Sequence, residues 1–367
     1  MDPVTQASLG AVVGGLTLGS RLGRKAVLLG AAVAIAPDLD ILIDYGDDVS
    51  NFIYHRGFSH SLLLHLIVAT AVAGWLARAP ATRAISFSRW WWFLFLVLST
   101  HVLLDALTTY GTQLLWPFAG PVGTGSIFVI DPLYTLPLLV TATGALLYRF
   151  APRLLVAGLV MSSAYAGSGL VLNTWLDHRI QPALVAMDLE DRPRLIQPTP
   201  FNLLLWRITV LDGERFHEAW VSILDTPVRP DFEAFERGTP LGAEALALDD
   251  GQRLHWFAGD FLRFHRNEYD GAPDRLVVTD LRLGAPGYFP FGFEIAELRD
   301  GDWRPITSRQ VRETGRPQDA TRAMIQRIVD PAGAPCLMEL AEPDYAITES
   351  KPRCRVRKGE ARQQETL

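Results

Sequence analysis

The first half of the chain alternates long apolar runs with short polar breaks. Four runs approach the ~20 residues, with a range of about 17–25, that a spanning helix needs. They are residues 61–77, 90–107, 132–150 and 154–173. Two shorter Gly/Ala-rich runs, 7–19 and 26–37, precede them and read as short or closely packed helices. The first is not a signal peptide, because its arginines follow the apolar run instead of preceding it. From about residue 180 the pattern changes. "LWRITVLDG" and "FHEAWVSILD" alternate apolar and polar positions around Asp212-Gly213, a hairpin signal. "RLHWFAGDFLRF", "DRLVVTDLRLG" and "FGFEIAELRDGDWRPI" read as further strands, and 319–329 as a helix.

The pattern predicts an α-helical polytopic membrane domain over 1–178. A soluble, mainly β (α+β) domain follows over 179–350, then a disordered basic tail over 351–367. Charge supports the division. Residues 1–180 carry ten Arg/Lys and nine Asp with no Glu, a balance of +1, and the remainder accounts for −7 of the total −6. No basic excess points to nucleic acid. Arg21, Arg24 and Lys25, then Arg78, Arg83 and Arg89, then Arg149 and Arg153 fall in alternate connections. If the segments alternate in direction, these connections share one side, which the positive-inside rule makes cytoplasmic. The unusual polar residues gather at the opposite ends. The expected location is therefore a prokaryotic inner (cytoplasmic) membrane, multi-pass. The polar cluster and the C-terminal domain are expected on the extracytoplasmic side. Cys336 and Cys354 form no metal motif; a disulfide and two unrelated thiols both remain open.

The polar ends carry candidate chemistry. His101 and Asp105 are four apart in an apolar helix, so they share a face and can share a metal or pair with each other. In "PDLD", Asp38 and Asp40 point to opposite sides, with Asp40 the preferred ligand and Asp38 the preferred outer residue or base. In "HRGFSH", Gly57 allows a turn, Ser59 is a natural N-cap, and His55 and His60 can face one centre. His65 reads as a packed core histidine. Arg56 can steady an anionic group or pair with an aspartate. A donor set of nitrogen and oxygen without sulfur suits a divalent metal, zinc first, with manganese or iron as alternatives.

"MDPVTQASLGA", "PDLD", "HRGFSHSLL", "HVLLDALTTYGTQLLWPF" and "VIDPLY" resemble, in order and spacing, the membrane-bound metal-dependent hydrolase family. These are bacterial and archaeal inner-membrane proteins, one of them described as LexA-binding, distantly similar to zinc-dependent phospholipases C and single-strand nucleases. The resemblance covers residues 1–178. It implies Asp40, His55, His60, His101 and Asp105 as metal ligands and matches Asp131 to a recurring aspartate; the residues themselves offer Asp38, or His55, as the proton relay and Arg56 as the group that steadies an anion, so Asp38 and Arg56 are the catalytic candidates. The family usually carries a histidine where this chain has Gln6, a poorer zinc ligand. The implied activity is metal-dependent hydrolysis of a phosphoester or lipid-linked substrate by activated water, with the lipid bilayer as partner. The alternative is a non-catalytic membrane protein with a structural or vestigial metal site and a partner-binding β domain. A transporter is disfavoured, because the polar residues gather at one face instead of lining a path.

Overall fold

The computed structural model describes residues 1–148, 151–312, 317–330 and 335–340. Two compact units divide the chain. The first comprises Met1–Asp44, Tyr54–Leu172 and Pro200–Asn202. The second comprises Tyr45–Ile53, Asn173–Thr199 and the residues from Leu203 on.

The first unit is helical. Asp2 caps α1 (Pro3–Leu22) by accepting from the Val4 and Thr5 amides. Gly23, at φ +55°, turns the chain into α2 (Arg24–Ala34). The two helices touch backbone to backbone at Gly10, Gly14 and Gly30. A Cβ on Gly14 would lie 2.7 Å from the Gly30 Cα, so only glycine fits. This is the small-residue packing that lets apolar helices approach closely, and it accounts for the Gly/Ala-rich composition of both runs. A 3₁₀ helix, Ala36–Leu42, carries the PDLD motif. After a first turn of α3 (Asp48–Tyr54), a second 3₁₀ turn, Phe58–His60, leads to α4 (Leu62–Arg78). The N-cap of α4 is Ser61, whose hydroxyl accepts from the Leu64 amide, and not Ser59. The 3₁₀ turn delays the helix by two residues and leaves Ser59 free for another task.

Next come α5 (Phe87–Asp105), α6 (Pro132–Leu147) and α7 (Pro152–Val185). Leu18, Phe93, Val97, Leu138 and Leu155 are fully buried among them. Asp131 caps α6 through the Leu133 and Tyr134 amides and accepts from the Tyr165 hydroxyl, so its role here is structural. Among the described residues, α5 and α7 are long and apolar enough to cross a membrane. A third span is reached only if α4 joins the segment before it, and α6, at 16 residues, is shorter.

The second unit holds two antiparallel sheets of four strands, β1-β2-β3-β4 and β5-β6-β7-β8. The strands are β1 (Arg194–Pro198), β2 (Leu205–Asp212), β3 (Arg215–Ser222), β4 (Glu233–Glu236), β5 (Leu262–Asn267), β6 (Arg275–Asp280), β7 (Gly292–Arg299) and β8 (Asp302–Val311). Both Asp-Gly hairpins form where the sequence signals them. Asp212 pairs with Arg215 across the first, and Arg299 with Asp302 across the second. Asp300 and Gly301 both take positive φ, as a tight two-residue turn requires. Helices α8 (Thr239–Leu246), α9 (Asp249–Ala258) and α10 (Pro317–Val329) complete the unit. The start of "RLHWFAGDFLRF" is the end of α9, not a strand. Leu254, Phe257 and Ala258 bury one helical face, and Gly259, at φ +62°, ends the helix before β5.

Tyr45–Ile53 belongs to this second unit although it lies between the PDLD and HRGFSH motifs in the chain. The Phe52 ring packs against Phe257, Phe291 and Phe293 at centroid distances of 5.0–5.1 Å. The Val49 amide donates to Ser308, Ser308 donates to Asp47, and the Gln310 amide donates to Asp48. The basic tail and any Cys336–Cys354 pairing lie outside the described residues.

Candidate metal centre

Four side chains of the first unit converge: Asp38, His60, His101 and Asp105. Three are fully buried, and the Asp38 side chain is 19% exposed, so the group opens through Asp38. His101 and Asp105 come from the last turns of α5, one turn apart, as their spacing predicts. The 3₁₀ helix supplies Asp38 and the next 3₁₀ turn supplies His60. His60 Nε2 lies 3.4 Å from Asp38 Oδ1 and 3.4 Å from Asp105 Oδ2. His101 Nε2 lies 3.4 Å from Asp38 Oδ1, 3.6 Å from Asp105 Oδ2 and 3.3 Å from His60 Nε2.

These spacings fit a cation. Four ligands at the ~2.0–2.1 Å typical of zinc–nitrogen and zinc–oxygen bonds, placed tetrahedrally, stand about 3.3–3.4 Å apart. Five of the six pairs here lie at 3.3–3.6 Å. Two imidazole nitrogens face each other, and the buried Asp105 Oδ2 accepts no hydrogen bond. The Arg56 guanidinium, 3.3 Å away, offsets its charge from one side, and a shared cation would fill the remaining coordination of this oxygen and of both nitrogens at once.

Asp40 and His55 lie beside this group, not in it. Asp40 Oδ1 pairs with His55 Nδ1 at 2.8 Å, and its Oδ2 accepts from the Arg56 amide at 3.0 Å and from the Ser59 hydroxyl. Ser59 Oγ also lies 2.9 Å from His60 Nδ1. A relay Asp40–Ser59–His60 thus fixes the imidazole so that Nε2 faces the group, the usual outer support of a metal-binding histidine. His65 is a buried core histidine whose Nε2 meets the Ser59 carbonyl at 2.8 Å, which holds that relay in place. Burial pushes the Asp38 carboxyl up, but hydrogen bonds from His101 and His60 outweigh it and hold it well below the ordinary range. Asp40 is likewise lowered, His55 and Ser59 outweighing its burial.

Arg56 is buried, with its backbone at φ +64°. Its Nε lies 3.3 Å from Asp105 Oδ2, and its guanidinium stacks over Tyr110 at 4.9 Å. Gln6 enters the same environment from α1. Its amide nitrogen donates to Asp105 Oδ1 at 2.9 Å and to the His101 carbonyl at 3.2 Å, while its Oε1 has no hydrogen-bond partner. The Met1 amino group also donates to Asp105 Oδ1. Thr108 Oγ1 accepts from Arg56 Nη1 at 3.5 Å, so Ser59, Thr108 and Tyr110 are site residues that side-chain chemistry alone did not single out. The signal was present for the last two in the spacing of "HVLLDALTTYG".

Residues 1–176 match the family model described as YdjM inner membrane protein. The chain is 27% identical over 322 residues to YfhP of Bacillus subtilis (strain 168), covering 79% of this chain and 89% of that protein. It is 34% identical over 109 residues to the inner membrane protein YbcI of Escherichia coli (strain K12), covering 29% of this chain and 61% of that one. No solved structure matches. The match over 1–176 contains every residue of the candidate centre. The likeness to YfhP, at 79% of the chain, extends beyond the helical unit into the β-rich one. The apolar helices and the match to an inner membrane family together support a membrane location.

Proposed function

We propose that the chain is a multi-pass inner-membrane protein whose Asp38, His60, His101 and Asp105 bind a divalent metal, zinc before manganese or iron, and that this centre hydrolyses an ester or phosphoester. The observation that carries the reading is the convergence of two imidazole nitrogens and two carboxylate oxygens, five of whose six separations are 3.3–3.6 Å. When bound, such a metal supplies Lewis acidity and activates water near neutral pH. The chain's own residues do the rest. His55, held by Asp40 through Nδ1, is the general acid/base. Its ring centroid lies 6.1 Å from that of His60 and its side chain is 21% exposed, which sets it at the solvent edge of the cluster, where one water can link it to the reacting group. Arg56, anchored by Asp105 and Tyr110, steadies the anionic part of the substrate. The basic connections bearing Arg21, Arg24, Lys25, Arg78, Arg83 and Arg89 support an extracytoplasmic site and C-terminal unit.

The test is the metal content of detergent-purified protein by mass spectrometry beside a His101→Ala/Asp105→Ala variant of matching circular dichroism, followed by a phosphoester and carboxylester screen. Stoichiometric metal in the wild type alone, with metal-dependent turnover, is the expected result. Wild-type protein that holds no metal after reconstitution would refute the reading.

A further inference from the structure

The loops that build the centre are inverted relative to those of a water-soluble protein. In the 3₁₀ helix, Asp38 and Asp40 point inward, whereas Leu39, Ile41 and Leu42 point outward, Ile41 at 71% and Leu42 at 79% exposure. Residues 106–130, between α5 and α6, contain no Asp, Glu, Lys, Arg or His in 25 positions. An average segment of that length carries about six charges. This loop exposes Trp116 at 40% and Phe118 at 81%. The two apolar surfaces flank the same residues. The Gln113 amide donates to the Arg56 carbonyl, the Leu62 amide to the Leu114 carbonyl, and Ser61 Oγ to the Trp116 carbonyl. Phe58, between Gly57 and Ser59, meets the Trp116 ring at 6.3 Å.

The loop also ties up its own backbone. Thr112 and Val122 exchange both hydrogen bonds, and the amides of Thr124, Ser126 and Ile127 donate to Ala106 and Leu107 carbonyls. Backbone polar groups that approach the bilayer must be satisfied within the protein, and these bonds supply that for much of the loop. Amphipathic aromatics such as Trp116 favour the headgroup zone.

We propose that this rim lies in the boundary between lipid headgroups and acyl chains, so that the centre takes its substrate from the bilayer. The substrate class is a membrane amphiphile whose phosphoester sits at headgroup depth, while its chains pack along Leu39, Ile41, Leu42, Trp116 and Phe118. The ester part of this proposal rests on the hydrolytic reading above; the immersion of the rim does not.

Two measurements on the full chain in dioleoylphosphatidylglycerol/dioleoylphosphatidylcholine vesicles decide it. In the first, nitroxide labels at Leu42→Cys and Phe118→Cys are compared with one at Glu244→Cys, an exposed position on α8, after subtraction of wild-type labelling. Oxygen collisions are expected to exceed nickel-chelate collisions at 42 and 118, with the reverse at 244. Water-like behaviour at 42 and 118 overturns the proposal. The second measures headgroup release from the same vesicles against hydrolysis of bis(p-nitrophenyl) phosphate. The ratio of lipid to soluble rate is expected to fall about tenfold or more in Leu42→Glu/Phe118→Glu, as buried apolar contacts with lipid are lost. Hydrolysis of the soluble ester alone overturns the lipid substrate while sparing the hydrolytic reading. Hydrolysis of neither overturns both, and the labels still decide the rim.

Discussion

Replacing Asp40 with asparagine separates metal binding from proton transfer. Asp40 Oδ2 faces the Arg56 amide, which can only donate, so the asparagine carbonyl takes that position. The new NH₂ then faces His55 Nδ1, 2.8 Å from the original Oδ1. That nitrogen is forced to accept, the ring proton moves to Nε2, and the base is lost. Supporting carboxylates outside the ligand set change metal affinity by about 10–100-fold, which is about 1.4–2.7 kcal/mol. Loss of a positioned acid/base costs about 10²–10⁴-fold in rate. Asp40→Asn is therefore expected to bind zinc within about 100-fold of wild type and, at saturating zinc, to turn over at least ~100-fold more slowly. Asp38→Asn removes charge from a ligand and is expected to lose more than ~100-fold in affinity. A chelator competition titration gives the affinities, and turnover at saturating zinc gives the rates. If Asp40→Asn loses the metal as completely as Asp38→Asn, or keeps full turnover, the assignment of ligand and support is wrong.

Gln6→His places an imidazole where the amide now contacts Asp105, and it is expected to raise the metal content or affinity measured by the same titration; an unchanged affinity would show that α1 does not reach the metal. Gly30→Ala puts a methyl against the Gly10 carbonyl. Overpacking of this kind costs about 1–3 kcal/mol, so thermal unfolding in detergent should shift down by several degrees, and an unmoved transition would show that α1 and α2 are not in backbone contact. His265 in β5 is lowered to about 3 by burial and by Arg263, below its value in the unfolded chain. Its contribution is present above about pH 6.5 and is lost as the pH falls, because the unfolded state then binds the proton first; at pH 5 this is about 2 kcal/mol. Hydrogen exchange in β5 and β6, corrected for intrinsic rates, should report weaker protection at pH 5 than at pH 7, and His265→Phe should remove most of that difference.

Much of the site was legible in the sequence because its signals are local. His101 and Asp105 share a face by helical spacing alone, and the two Asp-Gly turns set their hairpins. The helical apolar half and the β-rich half are both present. The sequence favours Asp40 as the ligand and Asp38 as the outer residue, and the structure exchanges the two: Asp38 joins the group and Asp40 supports it from beside. Residues two apart in a 3₁₀ helix diverge by about 120°, so one of the two must leave the group, and only the position of α5 selects Asp38. The strand expected at the start of "RLHWFAGDFLRF" is a helix because Leu254, Phe257 and Ala258 bury the face that a three- and four-residue period defines. The attachment of Tyr45–Ile53 to the β-rich unit was illegible for a different reason. Its partners are more than 200 residues away, and nothing local to the segment announces them.

That separation also fixes an order of events during synthesis. Asp47 leaves the ribosome 261 residues before Ser308. At about 5–20 residues per second the interval is roughly 13–52 s. During it α4, α5, α6 and α7 are made in turn, but the segment joining PDLD to HRGFSH lacks its Ser308 partner until the end. The centre is therefore assembled in two stages. His101 and Asp105 are fixed within one helix early, while the connection between Asp38 and His60 is pinned only when the last strand of the second sheet arrives. If the four side chains bind a metal, an ion arriving in the interval would meet a site tethered on one side only, and completion of β8 would end that period.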